Sequence, residues 1–174
     1  MTHIFGLAGW SGSGKTTLVT RLIPALIARD LTVSTVKHAH HAFDIDRPGK
    51  DSFKHREAGA HEVMVSSQMR WALMHEHRGA PEPGLAELLA QMSPVDLVIV
   101  EGFKREPFEK LEIHRPSLGK PLLCRDDPDI VAVASDERLS GLSVPCLELG
   151  DVEAIASFII ARCRLEPAHG AAER

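Results

Sequence analysis

Residues Gly9-Trp10-Ser11-Gly12-Ser13-Gly14-Lys15-Thr16 satisfy the pattern G-x-x-x-x-G-K-[ST] at every fixed position. This segment constrains the fold more than any other. A loop of this kind needs a strand before it and a helix after it. The chain supplies both: a short apolar run, His3 to Ala8, and a helical pattern from Thr16 to Asp30. The residue types fit phosphate binding. Glycines let the backbone curl so that successive N–H groups turn toward anionic oxygens. Lys15 reaches the outer phosphates as a point charge. The Thr16 hydroxyl suits Mg²⁺, and the helix that starts here turns its positive end to the anion. Thr17 either adds a second hydroxyl near the α-phosphate or sits in the first helical turn. Trp10 contributes by packing: it shields the loop or meets a partner protein.

The rest of the chain alternates strand-like and helix-like stretches, the pattern of a parallel α/β sheet. Along the first helix Leu18, Leu22 and Leu26 form one row and Val19, Ile23 and Ile27 the next, a face broad enough to cover a sheet. Pro24 interrupts this pattern and should kink or end the helix. Leu31 to Val36 reads as the second strand, and Ala39 to Lys50 as a loop. A short helix capped by Asp51 or Ser52 runs to Ala58. Two strands, Val63 to Val65 and Trp71 to Met74, flank a Ser66-Ser67 turn, with Trp71 read as core and His75 and His77 as edge residues. Pro83 to Met92 is a helix. Asp96 to Glu101 carries the strongest buried-strand signal, and Leu111 to Arg115, Pro121 to Cys124, Ile130 to Ala134 and Pro145 to Leu149 are further strands. Asp151 to Cys163 closes as a helix.

The expected fold class is therefore α/β, a three-layer P-loop NTPase fold with a mostly parallel central sheet flanked by helices. One nucleotide-binding domain is expected over residues 3–164, with a flexible tail at 165–174. A chain of 174 residues with 44% hydrophobic and 25% charged residues supports one such globular domain. A net charge of −4 argues against a general nucleic-acid binder. The longest apolar stretch falls short of a membrane span, and the N-terminus lacks a basic leader region, so neither membrane attachment nor a secretory signal is expected. Three scattered cysteines, Cys124, Cys146 and Cys163, fit a reduced, cytoplasmic protein.

A phosphate loop needs an acidic partner at the end of a neighbouring strand. Glu101 stands where the buried run Leu97 to Val100 emerges, beside Gly102, and is the candidate for holding Mg²⁺ or polarising a water. Asp96, at the other end of that strand, reads as a cap or solvated charge. The stretch Lys37 to Arg56 is locally basic and rich in histidine, and should fall at the carboxyl edge of the sheet. Lys37 or His38 then approaches the γ-phosphate or a second anion, and Asp44 and Asp46 serve as outer Mg²⁺ groups, unless the stretch is simply a solvated loop. His38, His40 and His41 leave a zinc site as a third reading. Lys104, Arg105, Lys110 and Arg115 form a second basic group that either faces the same cleft or decorates the surface. The chain lacks Asn-Lys-x-Asp, the common guanine-reading tetrapeptide; Asp136, after a strand, is a weaker match for that role.

Three segments together resemble the MobB family of molybdopterin-guanine dinucleotide cofactor biosynthesis: Gly9 to Thr17, Asp46-Arg47-Pro48-Gly49-Lys50-Asp51-Ser52 continuing to Ala58-Gly59-Ala60, and Asp96 to Lys104. The resemblance spans roughly residues 3–160. It implies GTP and Mg²⁺ as ligands, weak hydrolysis and a homodimer. It also implies an accessory role: the protein would assist the guanylyltransferase that joins molybdopterin to GMP and would handle molybdopterin or its guanine dinucleotide form. The expected site is Gly9, Trp10, Ser11, Gly12, Ser13, Gly14, Lys15, Thr16, Thr17, Lys37, Asp46 and Lys50, with Lys15 and Glu101 catalytic and Thr16 and Glu101 on the metal. Three other readings stay open. A small-molecule kinase would press Arg47, Arg56 and Glu101 into service. A histidine-rich metallochaperone GTPase would use His38, His40 and His41. A pure adaptor would use nucleotide only to switch partner affinity.

Overall fold

The computed structural model describes residues 2–39, 43–103 and 106–166, which divide into two compact units. The first comprises residues 1–38 and 93–174 and the second residues 39–92. The sequence pointed to a single domain over 3–164.

The first unit is built on six strands: β1 (His3–Ala8), β2 (Val33–Lys37), β5 (Leu97–Glu101), β6 (Lys110–His114), β7 (Ile130–Ser135) and β8 (Cys146–Glu148). They lie in the order β2-β5-β1-β6-β7-β8, and each neighbouring pair is parallel. Two helices accompany them, α1 (Lys15–Ile27) and α4 (Val152–Cys163), and these pack against each other. Their buried rows meet one face of the sheet. Leu18, Leu22 and Leu26 from α1 and Ile155, Ala156 and Ile159 from α4 join Phe5, Leu7, Leu97, Ile99, Leu111 and Ile113 in one core. This is the α/β P-loop class expected from the alternation of elements.

The helical rows behave unequally. Leu22 and Leu26 are fully buried, whereas Ile27, in the second row, is 54% exposed. Pro24 does not end α1, which continues to Ile27. The proline removes a single backbone donor, and burial of Leu22 and Leu26 on either side keeps the segment helical. Past the last turn of α4, Leu165 donates its N–H to the Ile160 carbonyl at 3.0 Å and is only 8% exposed. The body of the unit thus extends beyond residue 164, and Leu165 is not part of a free tail; residues 167–174 lie outside the described residues.

The opposite face of β6 is polar and buried: Lys110, Glu112 and His114 are 2%, 0% and 7% exposed. The segment after β6 satisfies it. The Glu112 carboxylate accepts the N–H groups of Leu123 and Cys124 at 2.8 and 2.9 Å. Those residues form a 3₁₀ turn, Leu123–Arg125, where a strand over Pro121 to Cys124 was expected. A carboxylate that needs two adjacent amides favours a turn, because consecutive N–H groups of a strand point in opposite directions. Burial pushes the Cys163 thiol up to about 11, with Glu109 adding to the effect, and also raises that of Cys124.

The second unit holds α2 (Asp51–Glu57), an antiparallel pair β3 (Glu62–Ser66) and β4 (Trp71–His75), and the short α3 (Leu85–Leu89). Lys50, not Asp51 or Ser52, stands at the N-cap position of α2, with no side-chain capping bond, and α2 lies against β3. A two-stranded sheet has one sheltered face. Val63 takes it, at 7% exposed. Met64 pairs with Leu73, and Ser66 with Trp71, on the other face. Trp71 is accordingly 62% exposed rather than core as the sequence had implied, and Leu73 beside it is 39% exposed. Among the described residues no helix is long and apolar enough to cross a membrane.

Asp96 and Thr32 tie the amino ends of β5 and β2 together. Thr32 donates to Asp96 Oδ2 from its N–H at 2.7 Å and from its hydroxyl at 2.6 Å, and the Asp96 N–H returns a bond to the Thr32 hydroxyl at 2.9 Å. The hydroxyl and then the amide of Thr32 hold the Asp96 carboxyl below the ordinary aspartate range. A lowered carboxyl stabilises the fold above about pH 4, and that stability is lost as pH falls through the folded-state value. Asp96→Asn should cost about 1 kcal/mol at pH 7. Its denaturation midpoint should also decline less than the wild-type midpoint between pH 5 and pH 3. Parallel pH profiles for the two proteins would refute this.

Candidate functional site

Because every strand of the first unit runs parallel, all carboxyl ends share one edge. The Gly9–Thr17 loop leaves β1 there. Glu101 leaves β5 on one side, level with Leu7, and β6 ends on the other. The loop approaches β6 so closely that only glycine fits at position 9. Its φ is +147°, and a Cβ there would lie 2.5 Å from the Ile113 carbonyl oxygen and 2.7 Å from Ser13 Oγ. Gly14, in the left-handed region at φ +100°, turns the chain into α1. The first turn of α1 holds no acidic residue, and the first helical bond runs from Leu18 N–H to the Gly14 carbonyl. The amides of Lys15, Thr16 and Thr17 precede it and have no intrahelical acceptor. Ser11, Gly12, Thr16 and Thr17 are exposed, as a ligand surface requires.

Inside the loop, Lys15 Nζ donates to the carbonyls of Gly9 at 2.9 Å and Trp10 at 3.0 Å. Ser13 is 1% exposed, and its Oγ has no hydrogen-bond partner. Trp10, whose side chain the sequence assigned to shielding or a partner, anchors the loop: its indole N–H donates to the Pro121 carbonyl at 2.8 Å, beneath Lys120. Arg115 follows β6 and donates through Nε to the Ser13 carbonyl at 3.0 Å.

Lys37 and Glu101 occupy matched positions on β2 and β5, with Lys37 Nζ 3.7 Å from Glu101 Oε2. The Glu101 side chain is 17% exposed. The strand end is fixed by His38, whose N–H donates to the Glu101 carbonyl at 2.8 Å and whose ring meets Phe103. Gly102, at φ +100°, leaves room for His38, since a Cβ there would fall 2.5 Å from His38 Cβ. Thr16 and Glu101 offer one hydroxyl and one carboxylate. That set suits Mg²⁺, which takes one or two protein ligands beside phosphate oxygens and water.

Asp46 and Lys50 belong to the second unit. Asp46 Oδ1 accepts from Arg47 N–H and the Ser52 hydroxyl, both at 2.9 Å. Its Oδ2 is buried without a hydrogen bond, 3.8 Å from Arg56 Nε. Arg56 also pairs with Asp44 at 2.7 Å and Glu76 at 3.3 Å and stacks over Phe53. The Asp46 amide and then the Arg56 guanidinium hold Asp44 below the usual carboxylate range. Arg56 thus organises the Asp44–Asp51 turn, a role that spacing alone did not reveal. Lys50 is exposed at the start of α2. Lys110, grouped with Arg115 by sequence, starts β6 at the amino end instead. It is buried there against Asp127 and Asp129, at 3.3 and 3.4 Å, and lines neither cleft nor surface. His40, His41, Lys104 and Arg105 lie outside the described residues. Among the described residues no group of three or more histidine, cysteine or carboxylate side chains is placed to hold a metal ion.

Residues 4–136 match the family model MobB, described as molybdopterin guanine dinucleotide synthesis protein B. The chain is 45% identical over 163 residues to an Escherichia coli protein named molybdopterin-guanine dinucleotide biosynthesis adapter protein, covering 92% of this chain and 93% of that one. A Haemophilus influenzae protein of the same name is 43% identical, with 90% and 86% covered. A crystal structure of molybdopterin-guanine biosynthesis protein B (mobB) superposes with a TM-score of 0.72 at 30% identity, over 92% of this chain and 99% of that one. A MobB homolog from Bacillus stearothermophilus gives 0.68 at 26% identity, with 94% and 99% covered. With more than two thirds of its length matched by the family model and its phosphate loop intact, the chain belongs to the MobB family.

Proposed function

We propose that this protein is an adapter in molybdopterin-guanine dinucleotide biosynthesis that holds Mg²⁺–GTP on the Gly9–Thr17 loop and assists the guanylyltransferase that joins molybdopterin to GMP. The observation that carries the nucleotide half is the loop itself: exposed Thr16 and Thr17 open a helix whose first amides lack intrahelical acceptors, and Lys15 is drawn across the loop to two carbonyls. In this reading the loop amides and Lys15 bind the phosphates, and Thr16 and Glu101 organise Mg²⁺, which supplies charge stabilisation to the outer phosphates. Hydrolysis is slow, because the Glu101 carboxylate is shared with the Lys37 ammonium rather than left to orient water alone. Molybdopterin, or its guanine dinucleotide form, is handled separately, and its phosphate is offered the exposed Arg47–Lys50 turn that Asp46 and Ser52 brace. The setting is the cytoplasm.

Calorimetric titration tests the two ligand assignments separately. Lys15→Ala should weaken Mg²⁺–GTP by about 100-fold, or about 2.7 kcal/mol, while molybdopterin binding persists. Lys50→Ala should do the reverse. Glu101→Gln should abolish the gain in GTP affinity that Mg²⁺ confers. Unchanged GTP binding in Lys15→Ala sinks the phosphate-loop assignment.

The homodimer is assigned in this reading to the β3–β4 pair. Met64 and Trp71, 61% and 62% exposed, share one face with Leu73, an apolar surface that a second copy would cover. Light scattering should report a dimer for the wild type and a monomer for Trp71→Glu. A variant that remains dimeric places the interface elsewhere.

A further inference from the structure

The carboxyl ends of β6 and β7 hold a salt bridge that the phosphate-loop reading does not use. His114 stands level with Ser135, and the residues that follow the two strands, Arg115 and Asp136, form an ion pair. Arg115 Nη1 donates to Asp136 Oδ2 at 2.5 Å, while Nε of the same guanidinium donates to the Ser13 carbonyl at 3.0 Å. Its Nη2 lies 3.5 Å from where a Cβ on Gly14 would sit. One side chain therefore ties the phosphate loop to a carboxylate at the end of the second strand out from β1. The turn that carries Asp136 is itself built. Ser135 is 2% exposed, and its hydroxyl accepts the Glu137 N–H at 3.2 Å. The two side chains of the pair keep 37% and 33% of their surface in solvent, so the carboxylate is both fixed and reachable. Two other carboxylates along this edge are engaged: Glu101 with Lys37, and Glu112 with the Leu123 and Cys124 amides.

We propose that Asp136 reads the base of the bound nucleotide and selects guanine, with Arg115 as its positioning residue. The inference rests on the Gly9–Thr17 loop binding a nucleoside triphosphate. Guanine presents N1–H and the N2 amino group side by side, two donors spaced for the two oxygens of one carboxylate. Adenine presents an acceptor at N1, no donor at C2 and a single amino donor at N6, so it cannot offer both carboxylate oxygens of Asp136 such a pair. A carboxylate has about four acceptor sites, and Arg115 takes one. Discrimination of this kind is strong, because the wrong base leaves a desolvated polar group unpaired. The guanidinium bridge sets the base reader beside the phosphate loop, as a nucleotide with phosphates on that loop requires. The Asn-Lys-x-Asp tetrapeptide is missing from the sequence, and a single aspartate oriented by an arginine does its work here.

The test is equilibrium binding of GTP, xanthosine triphosphate and ATP in Mg²⁺. Xanthine carries a carbonyl where guanine has its amino group, so an amide side chain should suit it. The wild type should prefer GTP to ATP by at least 100-fold. Asp136→Asn should lose at least tenfold for GTP, gain at least tenfold for xanthosine triphosphate and leave ATP unchanged. The gain cannot come from a misfolded protein. Arg115→Gln should narrow the GTP-to-ATP ratio. An Asp136→Asn protein that binds all three equally more weakly, or GTP unchanged, overturns the assignment. A wild type that binds GTP and ATP equally in a Lys15-dependent way overturns it too, while leaving the phosphate loop standing. A wild type that binds no nucleotide overturns both.

Discussion

The closeness of the Gly9–Thr17 loop to β6 is the constraint on which the site depends. Gly9 has no room for a Cβ against the Ile113 carbonyl, so β6 must lie directly beside β1 and run parallel to it. Parallel pairing of six strands then delivers every strand's carboxyl end to one edge. That single fact gathers the loop, the Lys37–Glu101 pair and the Arg115–Asp136 pair from segments more than 100 residues apart in sequence. Had one neighbour been antiparallel, its functional residue would have emerged at the opposite edge, where Asp96 and Lys110 are found.

Strand β6 links the core to the site through its two faces. Leu111 and Ile113 enter the helix-covered core. Lys110, Glu112 and His114 are buried on the other face, where unpaired polar groups would be costly. The connection to β7 meets that demand: Asp127 and Asp129 take Lys110, and the 3₁₀ turn Leu123–Arg125 caps Glu112. The same connection supplies the Pro121 carbonyl that holds Trp10, and Leu118, 4.0 Å from where a Cβ on Gly12 would sit. Satisfying a buried glutamate and bedding the phosphate loop are therefore one structural task.

What the sequence made legible follows from how local each determinant is. The loop motif, the buried run Leu97 to Val100 and the α4 stripe are set by residues within a few positions of one another, and their elements stand as expected. Long-range partners decided the rest. Pro121 to Cys124 has strand-like composition, but Glu112 bends its amides into a turn. Trp71 alternates like a core residue, yet its sheet has only two strands and one sheltered face. Arg56 looked like one charge in a basic stretch until Asp44, Asp46 and Glu76 converged on it. Arg115 had a signal, an arginine directly after a strand at the ligand edge, but nothing local marked its reach to Ser13.

The two cations that touch the loop share a logic in peptide geometry. A trans peptide points its carbonyl and the following N–H in opposite directions. Arg115 holds the Ser13 carbonyl, which turns the Gly14 N–H the other way. Lys15 holds the carbonyls of Gly9 and Trp10, which sets the N–H groups of Trp10 and Ser11 likewise. These are carbonyls that a phosphate would repel, and pinning them to cations presents amides in their place. The grip of Arg115 differs from that of Lys15 in one respect. Its bond to Ser13 is itself braced by Asp136, and Nη2 rests near Gly14. The Ser13–Gly14 peptide is therefore held from outside the loop, by the residue that follows β6, whereas the Gly9–Ser11 peptides are held from within it by Lys15.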